Sequence, residues 1–225
     1  MLESNLNCAF FFLEEPMSCL ESRTARVVLA LLAFAIAVPL VHANIIGPGQ
    51  SGPPDPLNAG GTQMAFTTGT MTTPTWSATY SAWVYSDPGN TFCNGCLDFL
   101  YQFTNNANSQ DVLERFTGFS YAGFLTDVGF VPATGPAPIS VDRSTTGAVV
   151  GFNYTGANNI LPGQTTAMLV VETNAKTFGH GYLTAQDGTA AYADAFAPTP
   201  DPATLGLLGS GLAVVGGYLR RRKVL

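Results

Sequence analysis

Cys93-Asn94-Gly95-Cys96 is the place where reactive side chains stand at a spacing that can do chemistry. A C-x-x-C pair is a redox site when it opens a helix in a βαβ unit. Here the flanks read as turn and strand, and the central Asn-Gly favours a tight turn. In an oxidising compartment the expected state is a local disulfide between Cys93 and Cys96. Its loop is small, so its stabilisation falls at the low end of the usual ~2–4 kcal/mol. A free redox pair and a pair of metal ligands are the alternatives. Zinc takes four protein ligands, or three and a water. Beyond residue 43 the chain offers two cysteines and one histidine, so only a mixed site with a carboxylate would serve.

That histidine, His180, lies between two glycines in Phe-Gly-His-Gly-Tyr. A hydrolytic triad needs a nucleophile, a base and an orienting acid, and no G-x-S-x-G elbow marks a nucleophile. A loop histidine is the expected reading. The carboxylates are spread singly, with no Asp-x-Asp-x-Asp-Gly calcium loop. Asp87, Asp98, Asp127, Asp142 and Asp187 are expected to form turns and line solvated faces. No catalytic residue, cofactor or metal ligand is therefore assigned. Paired carboxylates for glycoside cleavage would be invisible at this level. Trp76, Trp83 and the tyrosines have the character of a sugar site, with packing as their default role. Asn153-Tyr154-Thr155 matches a glycan acceptor and is taken as chance.

The elements that position these residues are short runs rich in Thr, Val, Phe and Tyr between turn signals. Residues 62–70 come first, then 76–85, ending in Ser-Asp-Pro-Gly-Asn. In Leu-Asp-Phe-Leu-Tyr-Gln-Phe-Thr-Asn, residues Leu97, Phe99, Tyr101 and Phe103 share one face. Residues 112–124 follow a polar turn. Val150, Phe152 and Tyr154 alternate again; 165–173 follows Leu-Pro-Gly-Gln; 181–185 and 189–196 flank Gln-Asp-Gly. Eight or so such runs without an amphipathic helix indicate an all-β, antiparallel sandwich over residues 62–197, Ig-like or jelly-roll-like. Period-two patterning puts one face of each strand in the core and the other in water. Residues 44–61, rich in Pro and Gly, read as an extended leader.

Between Asn44 and Pro200 three cations stand against ten acids, a net −7. Such a surface repels phosphate backbones, which argues against nucleic-acid partners. Scarce charge with abundant Thr, Asn, Ser, Gly and aromatics suits an extracellular β-rich domain.

At the front, Arg23 and Arg26 precede an apolar run from Val27 to Leu40, then Val-His-Ala. This is a secretory signal over residues 1–43, with cleavage expected after Ala43. A membrane anchor is the alternative, but the run falls short of the ~20 residues a spanning helix needs and Pro39 interrupts it. Residues 1–16 fit no part of a signal, and Met17 is the expected start.

Residues 198–225 gather a Pro-Asp-Pro turn, a glycine-studded apolar run and four of the chain's nine cations. Residues 205–219 would make a helix of roughly 22 Å, short against a ~30 Å hydrocarbon core. Arg220, Arg221, Arg222 and Lys223 would hold its end on the cytoplasmic side and snorkel to relieve the mismatch. A short helix of this kind suits temporary residence, and Pro-Asp-Pro presents extended backbone to a protease. This tail resembles the sorting signal of PEP-CTERM proteins: Pro200, Asp201 and Pro202 match the Pro-Glu-Pro motif, with Asp for Glu, and Arg220, Arg221 and Arg222 match its arginine cluster. The resemblance implies recognition by an exosortase-type membrane protease. It also implies export in a Gram-negative bacterium that makes exopolysaccharide, with transient residence in the inner membrane and then the cell surface or extracellular matrix. The stretches Leu-Asp-Phe-Leu-Tyr-Gln-Phe-Thr-Asn, Leu-Thr-Asp-Val-Gly-Phe and the segment 161–175 are also similar to the bodies of such proteins, which implies no activity.

The expected function is that of an exported, non-enzymatic surface or matrix protein associated with extracellular polysaccharide. A carbohydrate-binding or adhesin-type module and a secreted hydrolase are the alternatives, since sandwiches host many functions.

Overall fold

The computed structural model describes residues 45–201, and within them the chain is all-β. Twelve strands follow in order: β1 Ser51–Gly52, β2 Asp55–Pro56, β3 Thr62–Thr72, β4 Ser77–Asp87, β5 Cys96–Asn105, β6 Arg115–Phe119, β7 Thr126–Val131, β8 Ser140–Arg143, β9 Val149–Asn153, β10 Met168–Thr173, β11 Thr177–Asp187 and β12 Thr189–Thr199. A single turn of 3₁₀ helix, Gly156–Asn158, is the only helix among them. Two six-stranded sheets form, ordered β2-β7-β10-β5-β4-β3 and β1-β8-β9-β6-β11-β12. All pairs are antiparallel except β2 with β7. No helix of the described residues is long and apolar enough to cross a membrane; the expected signal and the expected helix over residues 205–219 lie outside them.

The two sheets share one apolar core. Alternation turns Phe99, Tyr101 and Phe103 of β5 toward Phe116 of β6 and Tyr121 just beyond it. Phe103 and Phe116 stack with ring centroids 4.2 Å apart, and Phe99 meets Tyr121 edge-on at 5.8 Å. Offset and edge contacts of this kind add to the area they bury. Three tyrosine hydroxyls that enter the core find partners: those of Tyr101 and Tyr121 bond each other, and Tyr80 Oη donates to the Asp194 carbonyl at 2.8 Å.

Three differences from the sequence reading have local causes. The run 112–124 ends as strand at Phe119, because Ser120 takes a left-handed φ of 74° and turns the chain. β7 then forms separately, in the other sheet. β8 was not expected; its four residues pair with β9 and, through Ser51 and Gly52, with β1.

The Pro/Gly-rich segment is extended, and it is paired into both sheets. Ile46 is buried, its N–H donating to Thr126 O at 3.0 Å. Arg143 fixes it further. This buried guanidinium donates to the carbonyls of Gly147 (2.9 Å), Tyr121 and Phe124 (2.7 Å each) and Ile46 (3.3 Å). The leader crosses β7 at Gly129, where a Cβ would stand 2.0 Å from Asp55 O, so only glycine lets the two backbones meet.

Candidate functional site

Cross-strand register sets a row of carboxylates on the outer face of the first sheet. Asp98 of β5 pairs with Glu172 of β10, and Glu172 pairs with Asp127 of β7. Side chains directly opposite in neighbouring strands point the same way, with Cβ atoms about 5 Å apart. Asp87, at the end of β4, stands beside this row: one carboxylate oxygen each of Asp87, Asp98 and Glu172 lies within 4.8 Å of the others. All four acids are buried, Asp98 and Asp127 completely.

The segment 87–96 covers them. Asp87 Oδ1 accepts from Gly89 N at 2.7 Å, an Asx turn. Asn90 is the centre of the loop. Its Oδ1 accepts from the N–H of Phe92 at 2.8 Å, while its Nδ2 donates to Asp98 Oδ1 at 2.6 Å and to Thr173 O at 3.2 Å. Thr91 N donates to Glu172 Oε2 at 2.9 Å. Cys93 and Cys96 form the disulfide that closes the loop, with Cα atoms 5.3 Å apart. Gly95 takes the left-handed φ of 67° that an Asn-Gly turn favours, and Lys176 Nζ caps Asn94 O at 2.6 Å.

The expectation that these aspartates are solvated is therefore corrected for Asp87, Asp98 and Asp127. The period-two argument puts Asp98 opposite the core, which is true, but that face is roofed by the loop. Burial, reinforced by Glu172 and Asp87 and opposed by the Asn90 hydrogen bond, pushes the Asp98 carboxyl up to about 8. Burial, then Asp55, then Glu172 push Asp127 up to about 7. Asp98 Oδ2 and both oxygens of Asp127 have no hydrogen-bond partner. A readable signal existed in Met-Leu-Val-Val-Glu-Thr. An unbroken apolar run marks a strand covered on both faces, and a glutamate at its end is then buried too.

Asp142 and Asp187 differ. Asp142 lies on β8, where Arg115 and Asn153 donate to it. These bonds hold its carboxyl below the usual range against a smaller effect of burial. The Asn153 amide of the glycan-acceptor match is committed to this network. Asp187 sits at the β11–β12 turn, as expected.

The second sheet presents an aromatic outer face. Tyr182 and Tyr192 are exposed, and with Phe119 they line a shallow depression of about 300 Å³. His180 meets Tyr182 edge-on at 4.8 Å, and its Nε2 lies 3.2 Å from Asp194 Oδ1. His180 stands on β11, not in a loop, which corrects that expectation. The side chains of the pair are 59% and 77% exposed. Of the tryptophans, Trp76 is core, while Trp83 is half-buried against Phe66 at 5.4 Å. Cys93 and Cys96 are joined in a disulfide, so the described residues offer no thiolate ligand.

Of the sorting residues, Pro200 and Asp201 directly follow β12 and are exposed. They line one side of a groove of about 380 Å³ with Phe124 and Lys176. Pro202, Arg220, Arg221 and Arg222 lie outside the described residues. Comparison with known proteins finds no matching family model, no matching curated protein and no matching solved structure.

Proposed function

We propose that this chain is an exported, non-enzymatic surface or matrix protein that associates with extracellular polysaccharide. Its C-terminal tail directs it transiently to the inner membrane, where an exosortase-type protease releases it beside Pro202. The observation that supports polysaccharide contact is the exposed face of Tyr182, Tyr192 and Phe119 flanked by His180 and Asp194. Aromatic faces take the C–H faces of pyranose rings, and the flanking imidazole and carboxylate can bond ring hydroxyls. The fold is Ig-like rather than jelly-roll-like in this reading. β4-β5-β10-β7 and β6-β11-β12 follow the A-B-E-D and C-F-G neighbour orders. β8 and β9 then form a hairpin added at the free edge of β6.

Co-sedimentation with the exopolysaccharide of the producing cells tests this. The double variant Tyr182→Ala/Tyr192→Ala is expected to bind roughly tenfold more weakly, the size of a lost interface anchor. Binding equal to the unaltered protein would remove the aromatic face from the proposal. Intact mass of the exported protein tests the tail: the expected product lacks Arg220, Arg221 and Arg222, and a product retaining them excludes processing.

A further inference from the structure

The buried carboxylate row carries an inference independent of polysaccharide and of sorting. Three acids converge under one loop, and among the described residues no Lys or Arg pairs with them; the Arg115–Asp142 ion pair and the His180–Asp194 contact lie on the other sheet. Gathering like charges in a place closed to water is costly unless a counter-charge enters with them. The donors already at hand satisfy only part of the set. Asn90 and Thr91 serve one oxygen each of Asp98 and Glu172. Asp98 Oδ2, buried within the cluster, is left without a donor. Asp127, outside the cluster but side by side with Glu172 and fully buried, has both oxygens unpartnered. Three oxygens of these residues, one of Asp98 and both of Asp127, thus lack a hydrogen-bond partner, and Asp55 adds a further acid near Asp127.

We propose that Asp87, Asp98 and Glu172 bind a calcium ion that fastens the loop 87–96 onto the sheet, with Asp127 completing the acidic row beside it. The ligand class follows from the donors. All are carboxylate oxygens, the hard ligands that calcium and magnesium take, with no imidazole or thiolate to favour zinc or copper. The closed setting favours the larger ion, because magnesium sheds its waters reluctantly and is seldom held by an all-protein cage. The loop also contributes fixed geometry, because the Asx turn at Asp87 and the Cys93–Cys96 disulfide hold its backbone near the ligands.

The experiment uses the full chain in detergent, stripped with chelator and titrated with calcium chloride by calorimetry and thermal unfolding. Saturable binding at one ion per chain is expected, with a rise in Tm of roughly 5 °C at saturation that chelator reverses. Magnesium chloride at the same concentration should give a smaller shift. Asp98→Asn keeps the shape and the Asn90 contact, and should lose calcium affinity by roughly tenfold or more. Glu172→Gln should do the same, whereas Asp187→Asn, at the β11–β12 turn of the other sheet, should bind as the unaltered chain does. Hydrogen exchange supplies a readout that needs no variant: the Gly89 and Thr91 amides should slow on calcium addition. No calcium heat or Tm shift in the unaltered chain overturns the proposal. So does binding that survives both Asp98→Asn and Glu172→Gln, or a shift that leaves the Gly89 and Thr91 amides unchanged.

Discussion

At the scale of single residues, Arg143 holds four backbone carbonyls with one side chain. It is one of three cations in the described segment and the only one that is buried, and it answers backbone carbonyls instead of a carboxylate. Burial pulls its guanidinium below its ordinary range, yet it stays charged at neutral pH. Arg143→Ala strands carbonyls of Ile46, Tyr121, Phe124 and Gly147, and should cost about 2–4 kcal/mol in chemical denaturation. Arg143→Lys should recover less than half of that, because an ammonium cannot span the same fork. A loss under 1 kcal/mol for the alanine variant, judged against the ~1 kcal/mol typical of point changes, would contradict this account. Asp142 gives a pH prediction. Its folded carboxyl titrates below the unfolded value because Arg115 and Asn153 bond the charged form. The stability it contributes is present above about pH 4 and is lost as pH falls through the depressed folded value. Asp142→Asn should therefore be less stable at pH 6 and converge on the unaltered protein near pH 2. A constant difference across that range would show the pair to be inert.

At the scale of elements, β5 and the loop before it carry both the legible and the hidden parts of the molecule. Leu97, Phe99, Tyr101 and Phe103 were readable as a core face because their period of two survives in the fold. The Cys-Asn-Gly-Cys turn was readable because a tight turn leaves its mark in adjacent residues. Asp98 was misread as solvated, since alternation reports which face a residue takes and nothing of what lies above that face. Its cover comes from Asn90 and Thr91, and its acidic neighbours Glu172 and Asp127 come from strands far along the chain. Such contacts are set by topology, which no local pattern encodes. The same loop yields a stability prediction. Cys93→Ser with Cys96→Ser frees a four-residue closure and should cost about 2 kcal/mol on the chain-entropy account. Guanidinium unfolding with and without reductant checks it, and identical midpoints would assign the disulfide no stabilising role.

At the scale of the whole molecule, the segment 45–57 is a structural part of the sandwich. It contributes β1 to one sheet and β2 to the other, and Ile46 to the core. Composition suggested an extended leader, and extended it is; its pairing was hidden because Ser-Gly and Asp-Pro carry no strand propensity. Tertiary partners decide there: Leu57 N–H donates to Phe130 O at 2.9 Å, and Ile46 N–H to Thr126 O. Both amides are expected to exchange with solvent only on global opening, at the rate of the central strands. Exchange at loop rates would show a segment resting on the surface.

β12 has a mechanical consequence. It is an edge strand whose last residue, Thr199, pairs with Thr177, the first of β11. A pull on the chain beyond Asp201 bears first on that single rung, then on Pro198 opposite Phe178, and so on toward the hairpin tip at Gly188. Bonds loaded in series yield one by one, at far less force than bonds sheared together. A molecule held by its C-terminal end would therefore unzip from that end under drag, and severing the chain beside Pro202 would take away the handle by which it can be opened.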